Sequence, residues 1–148
     1  VKGRALAGGC GLAMACDLIV AETNAKFGFP EVRIGFVPAM VTAIVQRNMS
    51  ERRAFTTLTL GEEMSAQDLR AEGIVHAVAD ESDFETRLAA VTECYAKLSG
   101  SAVQMTKRLL YDIDGLNFAA AIEQGAKVNA DARMSDDCKQ GIAKFLDK

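Results

Sequence analysis

The chain has 148 residues, 49% of them hydrophobic, and a net charge of −3. That length suits one domain with a real core, and the mildly acidic balance argues against nucleic acid as a partner. No apolar run approaches the roughly 18 residues of a membrane span, and no cationic leader with an apolar core is visible. The four cysteines form no C-x-x-C pair and have no histidine close by in sequence, so no metal site is expected and a reducing, cytoplasmic setting is.

Residues 1–6 lean apolar and read as a strand, which would need another segment beside it to pair its edge. Gly8, Gly9 and Gly11, with Cys10 between them, mark a turn. Leu12-Ala13-Met14-Ala15-Cys16 is small and apolar and suits a short buried helix, with Cys10 and Cys16 as small hydrophobes. Residues 17–21 and 25–27 read as strands, with Thr23-Asn24 turning between them. Pro30 fits the first position of a helical turn carrying Glu31.

Pro38 starts a helix to about residue 48. Ser50 begins another, to residue 60, with Ala54, Phe55 and Leu58 on one face and Gly61 ending it. Ser65-Ala66-Gln67-Asp68 has the form of a capping box and opens a helix that stops at Gly73. Residues 74–78 alternate like a strand with Ile74, His76 and Val78 on one side, which makes His76 a packed core histidine. From residue 82 the pattern is helical, over about 83–98, 102–112, 118–130 and from Ser135 onward. Strands and short helices alternate before residue 60 and helices dominate after it. The expected organisation is a mixed part over 1–60 and a mainly helical part over 61–148.

The glycines admit three readings. One is a tight structural turn with no ligand. One is a dinucleotide loop, but Gly9-Cys10-Gly11-Leu12-Ala13-Met14 lacks the last glycine of that fingerprint, and the helix before Asp17 is too short to cross a parallel sheet. The third is a site where a ligand oxygen meets the unpaired N–H groups of a helix's first turn, since Gly8 and Gly9 have no Cβ to hold it off. Such amides can hold a phosphate, or the negative oxygen that develops on a reacting carbonyl.

Residues 5–17, ALAGGCGLAMACD, resemble the signature of the enoyl-CoA hydratase/isomerase (crotonase) superfamily. Residues 27–38, FGFPEVRIGFVP, continue that resemblance in register, and Leu60-Gly61-Glu62, Ser65-Ala66 and Gly73-Ile74-Val75 resemble later landmarks. The resemblance covers most of the chain. It implies an α/β fold in which this chain is the C-terminal portion of a β-β-α spiral core, followed by an α-helical oligomerisation region. It also implies a trimer or dimer of trimers, an acyl-CoA thioester as substrate, and no cofactor beyond the coenzyme A of that substrate.

The resemblance carries over to four residues. Gly8 matches the residue whose N–H points at the thioester oxygen. Glu31 matches a catalytic glutamate used by hydratases and isomerases alike, and its neighbours Phe27, Phe29, Val32 and Ile34 would disfavour the charged form of a carboxyl. Phe145 and Lys148 match a segment that reaches a neighbouring subunit's CoA, through adenine stacking and a phosphate contact. Gly11 departs from the pattern, because well-known hydratases carry a second glutamate there. The implied activities are therefore a single-glutamate hydratase, nearest to the methylglutaconyl-CoA type, a Δ3,Δ2-enoyl-CoA isomerase using Glu31 alone, or a non-catalytic acyl-CoA-binding or oligomerisation fragment.

Overall fold

A computed structural model describes residues 1–146 and divides the chain into two compact units, Val1–Val91 and Thr92–Lys148. The first unit runs β1(Arg4–Leu6), α1(Gly8–Met14), β2(Val20–Glu22), β3(Lys26–Gly28), a 3₁₀ turn at Pro30–Ile34, α2(Ala39–Asn48), α3(Glu51–Leu60), β4(Glu63–Ser65), α4(Ala66–Ala71) and β5(Ala77–Ala79). Then α5(Phe84–Ala96) begins. Residues 63–65 and 77–79 are strands of this unit, so its mixed character continues past residue 60, and the division falls after Val91.

Two small sheets organise the first unit. β3 lies between β1, to which it is parallel, and β4, to which it is antiparallel; β2 and β5 pair in parallel. Phe27 and Phe29, on and just after β3, are wholly buried, with Val45 of α2, Leu69 of α4 and Val75 against the same core. Burying a Phe or Leu side chain is worth about 1.5–3 kcal/mol, so this cluster is what holds β3 in place.

Several elements start and stop where their local chemistry dictates. Ser65 caps α4 as one half of a reciprocal pair: the Asp68 N–H donates to Ser65 Oγ at 3.0 Å, and the Ser65 N–H donates to Asp68 Oδ2 at 3.2 Å. Gly61 ends α3 at φ 65°, a conformation that L side chains avoid. On α3 the buried residues are Ala54, Thr57 and Leu58, while the expected face residue Phe55 is exposed.

Two expectations near the strands are corrected. Val75 and Ala77 are buried and His76 is exposed, so His76 is not a core histidine. Side chains alternate along an extended segment, and the register here is one residue off the expected one. Cys16 is exposed as well, since α1 stops at Met14 and the chain turns out before β2.

The second unit consists of the end of α5 with α6(Gly100–Asp112), α7(Phe118–Met134) and α8(Asp136–Leu146). Ser99 caps α6 by accepting from the Ala102 N–H at 3.1 Å. Ser99 and Ser101 also donate to Asp137 Oδ2 at 2.6 and 2.7 Å, joining α6 to α8. No residue of α6, α7 or α8 is buried. No helix among the described residues is long and apolar enough to cross a membrane.

Candidate active site

The glycine segment is the first turn of a helix rather than a loop before one. Gly8 opens α1, and the residue before it, Ala7, offers no side-chain cap. No acceptor among the described residues pairs with the Gly8 or Gly9 N–H. A Cβ built on either glycine would meet nothing within 4 Å, so the side-chain side of both positions is open. Unpaired first-turn donors are what an anionic or carbonyl oxygen would use.

Gly11, one turn further on, is the opposite case. A Cβ there would lie 2.3 Å from Val41 Cγ1 of α2. The side-chain space at this position is therefore filled from the neighbouring helix. Position 11 is bare because α1 and α2 touch there.

Glu31 sits in the 3₁₀ turn that leaves β3 through buried Phe29 and Pro30. Pro30 presets the first residue of this turn, and Gly35 ends it at φ 75°. The Phe36 N–H donates to the Glu31 carbonyl at 3.0 Å, and Val32 and Arg33 pack over Gly61, where a Cβ would lie 3.1–3.2 Å from their side chains. Glu31 is half-buried: its Oε2 is buried and has no hydrogen-bond partner among the described residues. Leaving a buried carboxylate oxygen unpaired costs about 1–3 kcal/mol or more, which a well-packed protein tolerates where that oxygen has a use.

Backbone links join the two segments. The Ala7 N–H donates to the Gly28 carbonyl at 2.8 Å, and Leu6 pairs with Gly28 across β1 and β3. Cys10 of α1 is wholly buried. Burial pushes its thiol up from the ordinary 9.0 to about 11, with a hydrogen bond from the Gly28 backbone opposing and the charge of Glu31 adding to the rise. Beyond Glu31, Ile34, Phe36, Val37 and Met40 leave an exposed apolar stretch, with Met40 at 91% exposure.

The resemblance points to two further site residues, Phe145 and Lys148. Phe145 is on α8 in the second unit and is 79% exposed. Lys148 lies outside the described residues. No group of three or more His, Cys, Asp or Glu side chains among the described residues could hold a metal ion. Sequence reasoning passed over Ala7 and Val41. Ala7 gave no signal because only its backbone is unusual, and Val41 gave none because its role comes from packing against a distant glycine.

A family model described as enoyl-CoA hydratase/isomerase matches residues 1–148. A Thermus thermophilus relative whose name includes enoyl-CoA hydratase is 36% identical over 148 residues, covering 100% of this chain and 58% of its own. The Escherichia coli 2,3-dehydroadipyl-CoA hydratase is 32% identical over 150 residues, with the same coverage. The crystal structure of an enoyl-CoA hydratase from Mycobacterium smegmatis superposes with a TM-score of 0.94 at 28% identity, over 99% of this chain and 57% of that one. The chain thus spans a little over half the length of the relatives it matches.

Proposed function

Because this chain belongs to the enoyl-CoA hydratase/isomerase family, with the crotonase fold, we propose that the protein containing it hydrates a 2-enoyl-CoA thioester at the Gly8–Glu31 site. The observation that carries this reading is the buried, unpartnered Oε2 of Glu31, on the segment that follows Gly28, whose carbonyl accepts from the Ala7 N–H at the start of α1. The Glu31 carboxylate takes a proton from water. The water oxygen bonds to C3, and the C2–C3 π electrons move toward the thioester, leaving an enolate oxygen. The Gly8 N–H donates to that oxygen, and the protonated Glu31 then returns its proton to C2. A preorganised donor at such an oxygen is worth about 10²–10³ in rate, and a positioned acid/base about 10²–10⁴. No cofactor enters beyond the coenzyme A of the substrate.

The Gly11–Val41 contact favours a second reading. With no side chain at position 11, Glu31 acts alone, and a Δ3,Δ2-enoyl-CoA isomerase needs only one carboxylate to move a proton between two carbons. Incubation of the full-length protein with enoyl-CoA in H₂¹⁸O separates the two, because only hydration labels the product. Glu31→Gln should lower kcat by about 10²–10⁴ in either case. Unlabelled, isomerised product would replace the first reading with the second. Absence of turnover with any enoyl-CoA, unchanged by Glu31→Gln, would leave an acyl-CoA-binding or oligomerisation role.

We also assign α6–α8 to assembly into a homo-oligomer, a trimer or dimer of trimers, on the strength of the unburied apolar residues they carry. Phe145 and Lys148 are assigned to CoA contact. High salt should then weaken CoA binding through loss of the Lys148–phosphate attraction.

A further inference from the structure

Ala7 is the one residue other than glycine with positive φ among the described residues. Its φ of 53° and ψ of −126° belong to the first central position of a type II′ turn, where glycine is the usual occupant. An L-alanine held there is strained, and strained backbone persists only where its surroundings over-determine it. Those surroundings are visible. The Ala7 N–H is tied to the Gly28 carbonyl at 2.8 Å, and the Ala7 carbonyl accepts from the Gly11 N–H at 3.1 Å. Gly28 is held by strand pairing to Leu6 and Glu63, and its position requires glycine, since a Cβ there would lie 2.8 Å from the Glu62 carbonyl oxygen. Three residues after Gly28 comes Glu31.

We propose that Ala7 is a positioning residue: its positive-φ backbone, tied to Gly28, sets the peptide that carries the Gly8 N–H and holds it in register with the segment that delivers Glu31. This rests on the reading of Gly8 as the donor to the thioester oxygen. The rotation at Ala7 decides where that peptide points, because φ and ψ are the chain's two soft dihedrals per residue. A residue at position 7 that refuses positive φ would turn that peptide, and the N–H it carries, to a different direction. Ala7 never touches the substrate in this account; it acts through Gly8.

The test compares two ligands in the full-length protein. One is an acyl-CoA thioester. The other is the S-alkyl-CoA thioether of the same chain length, which lacks the carbonyl oxygen. The protein should bind the thioester about 3- to 10-fold more tightly, the worth of one hydrogen bond. Ala7→Val, whose β-branched side chain resists positive φ, should abolish that preference and lower kcat by about 10²-fold with a much smaller change in KM. Ala7→Gly, which adopts the same backbone without strain, should keep the preference and melt a few degrees higher, roughly 2–5 °C.

If the unaltered protein shows no preference for the thioester, the reading of Gly8 falls, and the inference about Ala7 falls with it. If it shows the preference and Ala7→Val retains it, the inference alone is overturned. Should Ala7→Val fail to fold, Ala7→Thr, also β-branched but less apolar, takes its place, and a preference retained there overturns the proposal, as does loss of the preference in Ala7→Gly. A merely structural role for Ala7 would change the melting temperature of both variants and leave the ligand preference intact.

Discussion

The two units of the chain bury their apolar residues in opposite ways. In Val1–Val91, Phe27, Phe29, Val45 and Leu69 are wholly enclosed by elements of the same unit. In the helices of the second unit, Leu110, Phe118, Ile122 and Met134 are all more than half exposed, and nothing on α6, α7 or α8 is buried. A core of the first kind stabilises its own fold. A surface of the second kind is what the proposed assembly role for these helices would use. The candidate site lies in the first unit, where the packing that could hold a carboxylate and an amide in register exists.

Truncating one phenylalanine in each unit would break this comparison most directly. Phe27→Ala should cost about 3–5 kcal/mol in urea denaturation, because it removes a fully buried ring from the strand between β1 and β4. Phe118→Ala, at a ring 83% exposed, should stay within about 0.5 kcal/mol for the isolated chain. In the full-length protein the second substitution should instead weaken association, measured by sedimentation. A large loss of stability from Phe118→Ala without any change in association would mean that the second unit carries a core of its own.

Cys10 sharpens the contrast at alkaline pH. Its folded-state value of about 11 stands above the ordinary 9.0, chiefly through burial. The stabilisation this represents is fully present below 9.0 and is lost as pH rises through about 11, since the unfolded chain gives up the proton first. Two pH units correspond to about 2–3 kcal/mol of lost stability across that window. In Cys10→Ala that part of the decline should vanish, whatever the variant's stability at neutral pH. The second unit offers no equivalent, as Cys94 is exposed and Cys138 only half-buried. An unchanged alkaline slope in Cys10→Ala would show that the thiol is not enclosed in solution.

Much of this arrangement was legible in the sequence, for identifiable reasons. Gly61, Ser65 and Pro30 act through rules that depend on their immediate neighbours, and the ends of α3, α4 and the 3₁₀ turn fell where those rules put them. The exposure of His76 was not legible, because alternation over five residues cannot say which set faces inward until the partner strand fixes the register. Phe55 misled in the same way: it shares a helix face with buried residues only if nothing shifts the buried stripe to Thr57. At the site, Glu31 and the glycine pair were readable as residue types in a pattern. The strain at Ala7 and the filling of position 11 by Val41 were not, since alanine and valine carry no chemical signal and their meaning lies in dihedrals and distances.

The smallest effects compare two caps. Ser65→Ala removes half of a reciprocal capping box on a helix whose Leu69 is wholly buried, and should cost about 1 kcal/mol. Ser99→Ala removes a single cap bond from α6, which has no buried residue to transmit the loss, and should fall toward the lower end, about 0.5 kcal/mol. The second change also has a pH signature. Hydrogen bonds from Ser99, and next from Ser101, hold the Asp137 carboxyl below its ordinary value. The tie between α6 and α8 is therefore present above the ordinary carboxylate range and weakens as pH falls through the depressed value. Following the Asp137 carboxyl by NMR titration, Ser99→Ala should move its midpoint upward. If the midpoint stays put, Ser101 alone supports that carboxylate, and the two helices are joined by one hydrogen bond fewer than the structure contains.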